Sequence, residues 1–273
     1  MNSYFAEYVW LDSENNFRSK TKIITNDLKD RFNLINYPHW NYDGSSTGQA
    51  TLENSEVNLE PYFIYPDVFR DFNIDVIVMC TPYKKENGKI GHLNGKIVHL
   101  NGKIVHLSNR YKANSIFTQY ANLEPFFGLE QEFFIIDPNT NKPYNYTSDS
   151  VNKNVYYCGV GTGIVSNKVR TFMNQAMLMC AKAGIIITGM NMEVSPGQGE
   201  LQVCNMGIKA CDDLIFLRYI LVRLGEDYNM VIDFSPKLEM DNKLNGSGCH
   251  INFSTKQMRE ENGYSFIEKA LDK

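Results

Sequence analysis

The stretch at residues 189–202, GMNMEVSPGQGELQ, constrains the fold most because a Pro-Gly pair divides two short strand-like segments. Proline presets φ at the first turn position, and glycine tolerates a positive φ at the second. If the chain folds back at Pro196-Gly197, Glu193 and Glu200 face each other across two antiparallel strands, with Cβ atoms about 5 Å apart. Two carboxylates at that spacing repel each other by roughly 1–4 kcal/mol. We therefore expect a cation or a shared proton between them, whereas two solvated strand glutamates are the alternative for the hairpin alone.

A second strand is predicted at residues 128–136, GLEQEFFII, from its aromatic and β-branched end. Side chains alternate between the two faces of a strand. Glu130 and Glu132 should therefore share one face, and Leu129, Gln131 and Phe133 should share the other.

A third segment, NGSGCHINFS at residues 245–254, combines a glycine-rich turn with a strand on which His250, Asn252 and Ser254 share a face. Together with the two segments above, it supplies four carboxylates and one imidazole on short strands. Such oxygen-rich ligation favours Mg²⁺ or Mn²⁺ over zinc. The alternative for His250 is a hydrogen-bonded core histidine.

Composition narrows the class of protein. The 273 residues carry a net charge of −4 with 21% charged residues, and they contain neither a basic stripe that would favour nucleic acid nor 18 consecutive apolar residues. The acidic, interrupted first fourteen residues do not resemble a signal peptide. The six scattered cysteines form no CxxC pair, which predicts buried thiols in a reducing cytosol.

In the first third of the chain, strands are predicted at 4–11, 21–25 and 74–80. Residues 40–50, WNYDGSSTGQA, are polar and glycine-rich and predict a loop, in which Asp43 forms at least an Asx turn. The loop is not a Walker phosphate loop, because no GxxxxGK[ST] motif occurs.

Residues 87–107 consist of three consecutive heptapeptides, NGKIGHL, NGKIVHL and NGKIVHL. The recurring Asn-Gly pairs favour tight turns over a long helix. Three histidines make a metal-binding tract one alternative, but a duplicated surface-loop insertion is the preferred interpretation, since loops tolerate insertion cheaply.

Beyond residue 110, a polar loop at 137–154 precedes two predicted helices. The first begins near Ser166, has an apolar face and ends at Gly184, and the second covers 212–223. A strand follows at 230–234. The GVGTG sequence at 159–163 resembles a dinucleotide loop only weakly, because its third glycine falls one residue early.

Three of these motifs occur in the order EQE, NMEVSPGQGE and NGSGCHINFST, and in that order they resemble the metal and substrate strands of glutamine synthetase. The eukaryotic-style decameric class fits best. The similarity extends through residues 40–50, YYCGVG at 156–161 and MREENG at 258–263, so it covers nearly the whole chain.

The resemblance implies an enzyme that joins glutamate and ammonium at the expense of ATP through a γ-glutamyl phosphate. It implies one Mg²⁺ or Mn²⁺ held by Glu132, Glu193 and Glu200, and a second held by Glu130 and His250. It assigns glutamate contacts to Asn245 and Gly246 and nucleotide contacts to Asn252 and Ser254. Asp43 would bind ammonium and remove its proton in the active site of the neighbouring subunit.

The implied fold is α+β: a β-grasp-like N-terminal domain at 1–86, a repeat-containing linker at 87–109, and a catalytic domain at 110–273 with an antiparallel sheet and flanking helices. The resemblance also implies cytoplasmic homo-oligomeric rings with active sites between subunits, and no nucleic-acid or membrane partner.

Two departures from the family pattern affect the expected activity. The family continues beyond the position of Lys273 with phosphate-binding arginines and a further metal carboxylate, and it has tryptophan at the position of Gly199. We therefore expect residues 1–273 to bind metal but to form glutamine slowly or not at all. The alternatives are an assembly subunit of low or no activity and a ligase for a larger amine.

Overall fold

The computed structural model describes residues 2–86, 89–92, 99–100, 103–104, 109–147, 155–239 and 244–272. The chain forms two compact units, unit 1 (Met1–Gln119) and unit 2 (Tyr120–Lys273). Both sheets and helices are present, so the fold has the mixed α/β content expected of the family resemblance. Among the described residues, we find no helix with the length and apolar character needed to cross a membrane.

Unit 1 is built on one mixed sheet. Its strands are β1 (Asn2–Leu11), β2 (Phe17–Asn26), β3 (Trp40–Asp43), β4 (Glu56–Pro66), β5 (Val76–Glu86) and β6 (Lys89–His92). The order is β2-β1-β5-β4-β3, with β6 also on β5, and β1 and β5 run parallel. Alternation along β1 buries Tyr4, Ala6, Tyr8 and Trp10 in the core of this unit. The three strands predicted here are confirmed.

The prediction of a loop throughout residues 40–50 is wrong for its first four residues. Trp40–Asp43 forms β3, paired with β4 in the register Trp40↔Leu59. The physical reason is aromatic packing: Trp40 lies edge-on to Tyr8, and the ring of Tyr42 lies 4.5 Å from that of Trp10. This contact with the core outweighs the polar local composition.

The repeat is described only in part. Strands β7 (His99–Leu100) and β8 (Lys103–Ile104) pair with each other, and β6 pairs with β5 in the register Glu86↔Lys89. The three Asn-Gly pairs lie outside the described residues. Helix α1 (Asn109–Gln119) follows. The interpretation of the repeat as an inserted surface loop stays a prediction.

Unit 2 contains an antiparallel sheet organised around its longest strand. The strands are β9 (Phe126–Asp137), β10 (Lys142–Pro143), β11 (Ile187–Met192), β12 (Gln198–Met206), β13 (Val231–Asp233) and β14 (Cys249–Ser254). The order is β10-β9-β12-β11, and β13 and β14 also pair with β9. Strand β9 therefore contacts four other strands, and the side chains on its two faces determine both the core and the site.

The helices of unit 2 are α2 (Asn167–Lys182), α3 (Ile208–Tyr228), α4 (Lys256–Arg259) and α5 (Tyr264–Leu271). As predicted, α2 is capped by Ser166, whose hydroxyl accepts a hydrogen bond from the Val169 amide, and it ends before Gly184. Helix α3 is longer than predicted at both ends. Lys209 pairs with Asp213 in its first turns, and left-handed Asn229 terminates it.

Candidate active site

The first carboxylate pair arises from strand register. Glu132 on β9 lies directly opposite Glu200 on β12, and Glu130 lies opposite Gln202. Along β9 the residues at odd positions from Leu129 to Phe133 are buried, whereas Glu130 and Glu132 are only half-buried. The predicted placement of Glu130 and Glu132 on one face of β9, with Leu129, Gln131 and Phe133 on the other, is confirmed.

The predicted pairing of Glu193 with Glu200 across the hairpin is wrong in register. Asn191 lies opposite Glu200, while Glu193 begins the connection between β11 and β12 and donates its backbone N–H to the Gln198 carbonyl. The turn is longer than two residues: β11 ends at Met192 and β12 begins at Gln198, so Pro196-Gly197 lies within the connection. Gly197 has φ of 68°, and a Cβ there would lie 2.7 Å from the Tyr144 backbone nitrogen.

The carboxylates nevertheless converge. One oxygen each from Glu132, Glu193 and Glu200 can be chosen so that all three lie within 4.8 Å of one another. Glu200 is 6% exposed. The cluster thus combines one residue from β9, one from β12 and one from the connection that precedes β12.

The partners of these carboxylates in the described residues are amides. Asn191 Nδ2 donates to Glu193 Oε1 at 2.8 Å, and Gln202 Nε2 donates to Glu200 Oε1 at 2.6 Å. Burial raises the pKa of Glu193 above its ordinary value, and the negative charges of Glu132 and Glu200 raise it further against the opposing effect of hydrogen bonds. The free protein therefore holds this negative charge at an energetic cost.

The geometry of the cluster suits a divalent ion. Mg²⁺ binds oxygen ligands octahedrally at about 2.0–2.1 Å, so opposite ligands lie about 4.2 Å apart and adjacent ligands about 2.9 Å apart. Of three ligands, at most one pair can be opposite, so carboxylate oxygens up to 4.8 Å apart would each move inward by about 1 Å around such an ion. The three glutamates thus offer the hard-oxygen chemistry of the first predicted metal site at a spacing that side-chain rotation can close.

The second predicted ligand pair is also close together. His250 on β14 is the register partner of Glu130 on β9, and its Nδ1 lies 3.6 Å from Glu130 Oε2. Asn252 Nδ2 donates to Glu130 Oε1 at 2.5 Å. The His250 side chain is 68% exposed, so the alternative of a core histidine is wrong, and the ring is accessible to a ligand.

The turn before β14 carries the residues predicted to contact glutamate. The backbone N–H of Asn245 donates to Ser195 Oγ at 2.9 Å, and the Gly246 carbonyl accepts a hydrogen bond from Gln198. At the other end of β14, the carbonyl and hydroxyl of Ser254 both accept hydrogen bonds from Arg259. The turn is therefore attached to the β11–β12 connection that also carries Glu193.

Asp43 lies in unit 1, whereas the other predicted site residues lie in unit 2. Its Oδ1 accepts hydrogen bonds from the Ser45 hydroxyl at 2.6 Å and the Ser45 backbone amide at 3.0 Å, which confirms the Asx turn. The same hydrogen bonds, led by that of the hydroxyl, lower the pKa of the Asp43 carboxyl. The exposed side chain is therefore held as a carboxylate.

Sequence reasoning missed polar residues that share the acidic face. Gln198, Glu200 and Gln202 alternate along β12, so period two alone predicts that both glutamines lie beside Glu200. Tyr157 was also missed, although it lies inside the YYCGVG motif. The pKa of its exposed phenol is raised by Cys158 first and then by Glu193 and Glu200, which places Tyr157 near the carboxylates.

Two expectations about individual residues need comment. The prediction of buried thiols is confirmed for Cys80 and Cys180, whereas Cys204, Cys211 and Cys249 are only half-buried. It is wrong for Cys158, which is exposed because it lies in the connection before α2 rather than in a packed element. At Gly199, a Cβ would lie 2.8 Å from Met173 Cε. Met173 thus occupies the space beside the position where the family resemblance places tryptophan.

Comparison with known proteins identifies the family. A model of the glutamine synthetase catalytic domain matches residues 107–269. The chain is also 40% identical over 268 residues to a putative glutamine synthetase of Acanthamoeba polyphaga mimivirus, a match that covers 98% of this chain and 70% of that protein. The chain belongs to the glutamine synthetase family. Its enzyme class by family membership is glutamate–ammonia ligase.

Other glutamine synthetases match over the same extent of the chain. Glutamine synthetase 1, mitochondrial, of Drosophila melanogaster is 38% identical, and the match covers 98% of this chain and 62% of that protein. Glutamine synthetase of Neurospora crassa is 37% identical, with 98% and 69% covered. These matches confirm the resemblance drawn from the motifs, and they show that the chain spans roughly two thirds of its relatives' length.

Proposed function

We propose that this glutamine synthetase family member ligates ammonia to glutamate with metal ions and ATP. The glutamate γ-carboxylate attacks the γ-phosphorus of ATP, and ADP leaves. Ammonia then attacks the resulting γ-glutamyl phosphate and displaces phosphate. The observation that carries the proposal is the convergence of Glu132, Glu193 and Glu200 within 4.8 Å without a cationic side chain among their hydrogen-bond partners in the described residues.

The chain's own residues have distinct parts in this proposal. Glu132, Glu193 and Glu200 hold one Mg²⁺ or Mn²⁺, and Glu130 with His250 holds the other. Bound ions would screen the negative charges of glutamate and ATP and stabilise the phosphoryl group in transfer. An imidazole nitrogen of His250 would suit Mn²⁺ slightly better than Mg²⁺.

The substrates are assigned by the same combination of family membership and geometry. The turn at Asn245 and Gly246 binds glutamate beside the carboxylate cluster, to which it is attached through Gln198. Asn252 and Ser254 face the nucleotide. Asp43, which is held as a carboxylate, takes a proton from ammonium and so supplies neutral ammonia as the nucleophile.

For the architecture, we propose a β-grasp-like fold for residues 1–86, a linker at 87–109 and a catalytic domain at 110–273. The mixed sheet of unit 1, in which β1 and β5 are parallel, supports the first assignment. Homo-oligomeric rings would bring Asp43 of one subunit to the site of its neighbour. A cytoplasmic location is part of the proposal, although one relative is named as mitochondrial.

The test is the formation of glutamine by the purified chain with glutamate, ATP and Mn²⁺, with and without ammonium. We expect glutamine formation to require ammonium. Polyamines replace ammonium in a parallel assay. Turnover only with polyamines, or no turnover despite bound Mn²⁺, would contradict the proposal.

A further inference from the structure

Gln198 connects two parts of the site that the sequence places far apart. It is the first residue of β12, is 1% exposed, and directs its amide nitrogen at three acceptors. Nε2 lies 3.3 Å from Glu132 Oε2, 2.9 Å from the Gly246 carbonyl oxygen and 3.3 Å from Ser247 Oγ. A single side chain therefore contacts a carboxylate of the cluster and the turn at residues 245–248.

The amide oxygen of Gln198 is buried without a hydrogen-bond partner in the described structure. Rotating the amide by 180° would not repair this, since the oxygen would then face a carboxylate and a carbonyl. Burying an unpaired polar atom lowers stability, and an apolar side chain of equal size avoids that cost. Stability alone therefore does not explain why this position holds glutamine. The contacts of its Nε2 with Glu132, Gly246 and Ser247 do explain it.

The same turn is attached to β9 by further contacts. The Gly248 N–H donates to Glu132 Oε2 at 2.9 Å, and the Glu132 N–H donates to the Gly248 carbonyl at 3.0 Å. On the opposite face of β9, Gln131 Nε2 lies 3.3 Å from the Gly248 carbonyl, and Arg218 donates to Gln131 Oε1. With Gly248 fixed, Gln198 is the second donor that determines the direction of the Glu132 carboxylate.

We propose that Gln198 is a positioning residue that holds the Glu132 carboxylate toward Glu193 and Glu200 and locks the 245–248 turn beside it. This inference rests on the proposed function in treating Glu132 as a metal ligand. Without the Gln198 amide, repulsion by the two neighbouring carboxylates turns Glu132 outward. The site then loses the arrangement of three converging oxygens before any ion arrives.

The test compares Gln198→Met with wild type in the full chain, using Mn²⁺ alone as the probe and electron paramagnetic resonance to measure free Mn²⁺. Loss of a residue that orients a metal ligand typically weakens binding by about 10–100-fold, and we expect a rise in Kd of that size. The matched control is Gln49→Met in unit 1. Gln49 is also fully buried and donates to a backbone carbonyl, that of Leu11, and its substitution should change the Mn²⁺ Kd less than about twofold.

A metal-free measurement separates this inference from the proposed function. Hydrogen exchange of the Gly248 amide, which donates to Glu132, should accelerate at least about tenfold in Gln198→Met and stay unchanged in Gln49→Met. If wild type binds no Mn²⁺ but this acceleration occurs, the metal site is contradicted and the positioning role stands. If Gln198→Met fails to fold, Gln198→Asn replaces it, because it keeps an amide too short to reach all three acceptors.

Equal Mn²⁺ affinity and equal Gly248 exchange in wild type and variant would overturn the inference. A purely structural role for Gln198 predicts a different result, in which the metal-free melting temperature falls but the folded variant binds Mn²⁺ as wild type does. That result would also overturn it. Our expectation is the reverse, a metal-free melting temperature within about 4 °C of wild type together with weakened Mn²⁺ binding.

Discussion

Two groups of carboxylates, one in each unit, have opposite surroundings. In unit 1, Arg70 Nη1 lies 2.5 Å from both Glu7 Oε2 and Asp67 Oδ2, and the Asp67 side chain is 0% exposed. In unit 2, the partners of Glu132, Glu193 and Glu200 among the described residues are amides and one another. Arg70 thus neutralises Glu7 and Asp67 within unit 1, whereas the described hydrogen-bond partners of the three glutamates in unit 2 include no cationic side chain.

The pKa values show the consequence. Burial pushes the pKa of Asp12 upward, but hydrogen bonds from the Glu14 and Asn16 backbone amides and from Arg18 outweigh it, so the pKa lies below its ordinary value. The pKa of Glu193 lies above its ordinary value because of burial and neighbouring carboxylates. The same kind of side chain thus stabilises the fold in unit 1 and opposes it in metal-free unit 2.

The largest expected effect comes from removing the positive charge of Arg70, which pairs with Glu7 and Asp67 in unit 1. Arg70→Met leaves Glu7 and Asp67 buried beside each other, and breaking a buried pair in this way costs about 3 kcal/mol or more. Urea unfolding followed by tryptophan fluorescence measures this unit alone, because both tryptophans, Trp10 and Trp40, lie in it. Lys29→Met in the same unit is the control, since the side chains of Lys29 and its partner Asp27 are 75% and 56% exposed. We expect it to cost less than about 1 kcal/mol, and an equal cost would contradict the contrast.

The second effect is stabilisation of unit 2 by metal. An ion that binds only the folded state at 100 times its Kd adds about 2.7 kcal/mol, which raises the melting temperature by about 5–10 °C. Far-UV circular dichroism at 222 nm reports mainly α2 and α3 of unit 2. This transition should rise with Mn²⁺ while the tryptophan transition of unit 1 does not, and Glu193→Ala should reduce the rise. Equal shifts of both transitions would contradict the prediction that metal stabilises unit 2 and not unit 1.

The third prediction is that replacing a carboxylate by its amide has opposite effects on the stability of the two units. Asp12→Asn should destabilise unit 1 by about 1–2 kcal/mol, because hydrogen bonds to a charged group are lost. Glu193→Gln should stabilise metal-free unit 2 by about 0.5 kcal/mol, because it relieves repulsion that solvent partly screens. Urea unfolding in a metal chelator, followed by fluorescence for unit 1 and circular dichroism for unit 2, measures both. A loss of stability in each case would mean that Glu193 is compensated within the chain.

The smallest effect is a difference in pH dependence. The folded pKa of Asp12 is below the unfolded value of about 3.9, so its contribution to stability is present above that pH and is lost as pH falls through the folded pKa. The folded pKa of Glu193 is above the unfolded value of about 4.3, so its contribution is complete below that pH and is lost as pH rises through the folded pKa. Chelated unit 2 should therefore weaken by less than about 1 kcal/mol as the pH rises above about 4.3.

Unfolding of the Glu193→Gln variant checks the origin of that slope. The substituted side chain does not titrate, so the unfolding free energy of unit 2 should become flatter with pH while that of unit 1 keeps the wild-type profile. An unchanged slope in the variant would assign the pH dependence to other groups of unit 2.

The strands and helices with strong local signals followed from the sequence. The alternation in β1 and β9 and the capped apolar pattern of α2 predicted those elements correctly, because burial period and capping are properties of neighbouring residues. The β3 strand and the full length of α3 did not follow. β3 depends on contacts with distant residues, such as Tyr8 against Trp40, which override local composition. The ends of α3 are marked by local features that the prediction did not use, the Lys209–Asp213 pair and left-handed Asn229.

The sequence by itself determined which residue types the site contains and which face of β9 they occupy. Only the tertiary structure decided their partners. Glu200 faces Glu132 rather than Glu193 because the β9–β12 register depends on pairing between segments about 70 residues apart, whereas the Pro-Gly turn fixes only its own neighbourhood. The role of Gln198 likewise could not be predicted from the sequence, because it depends on which acceptors the fold brings next to the buried amide.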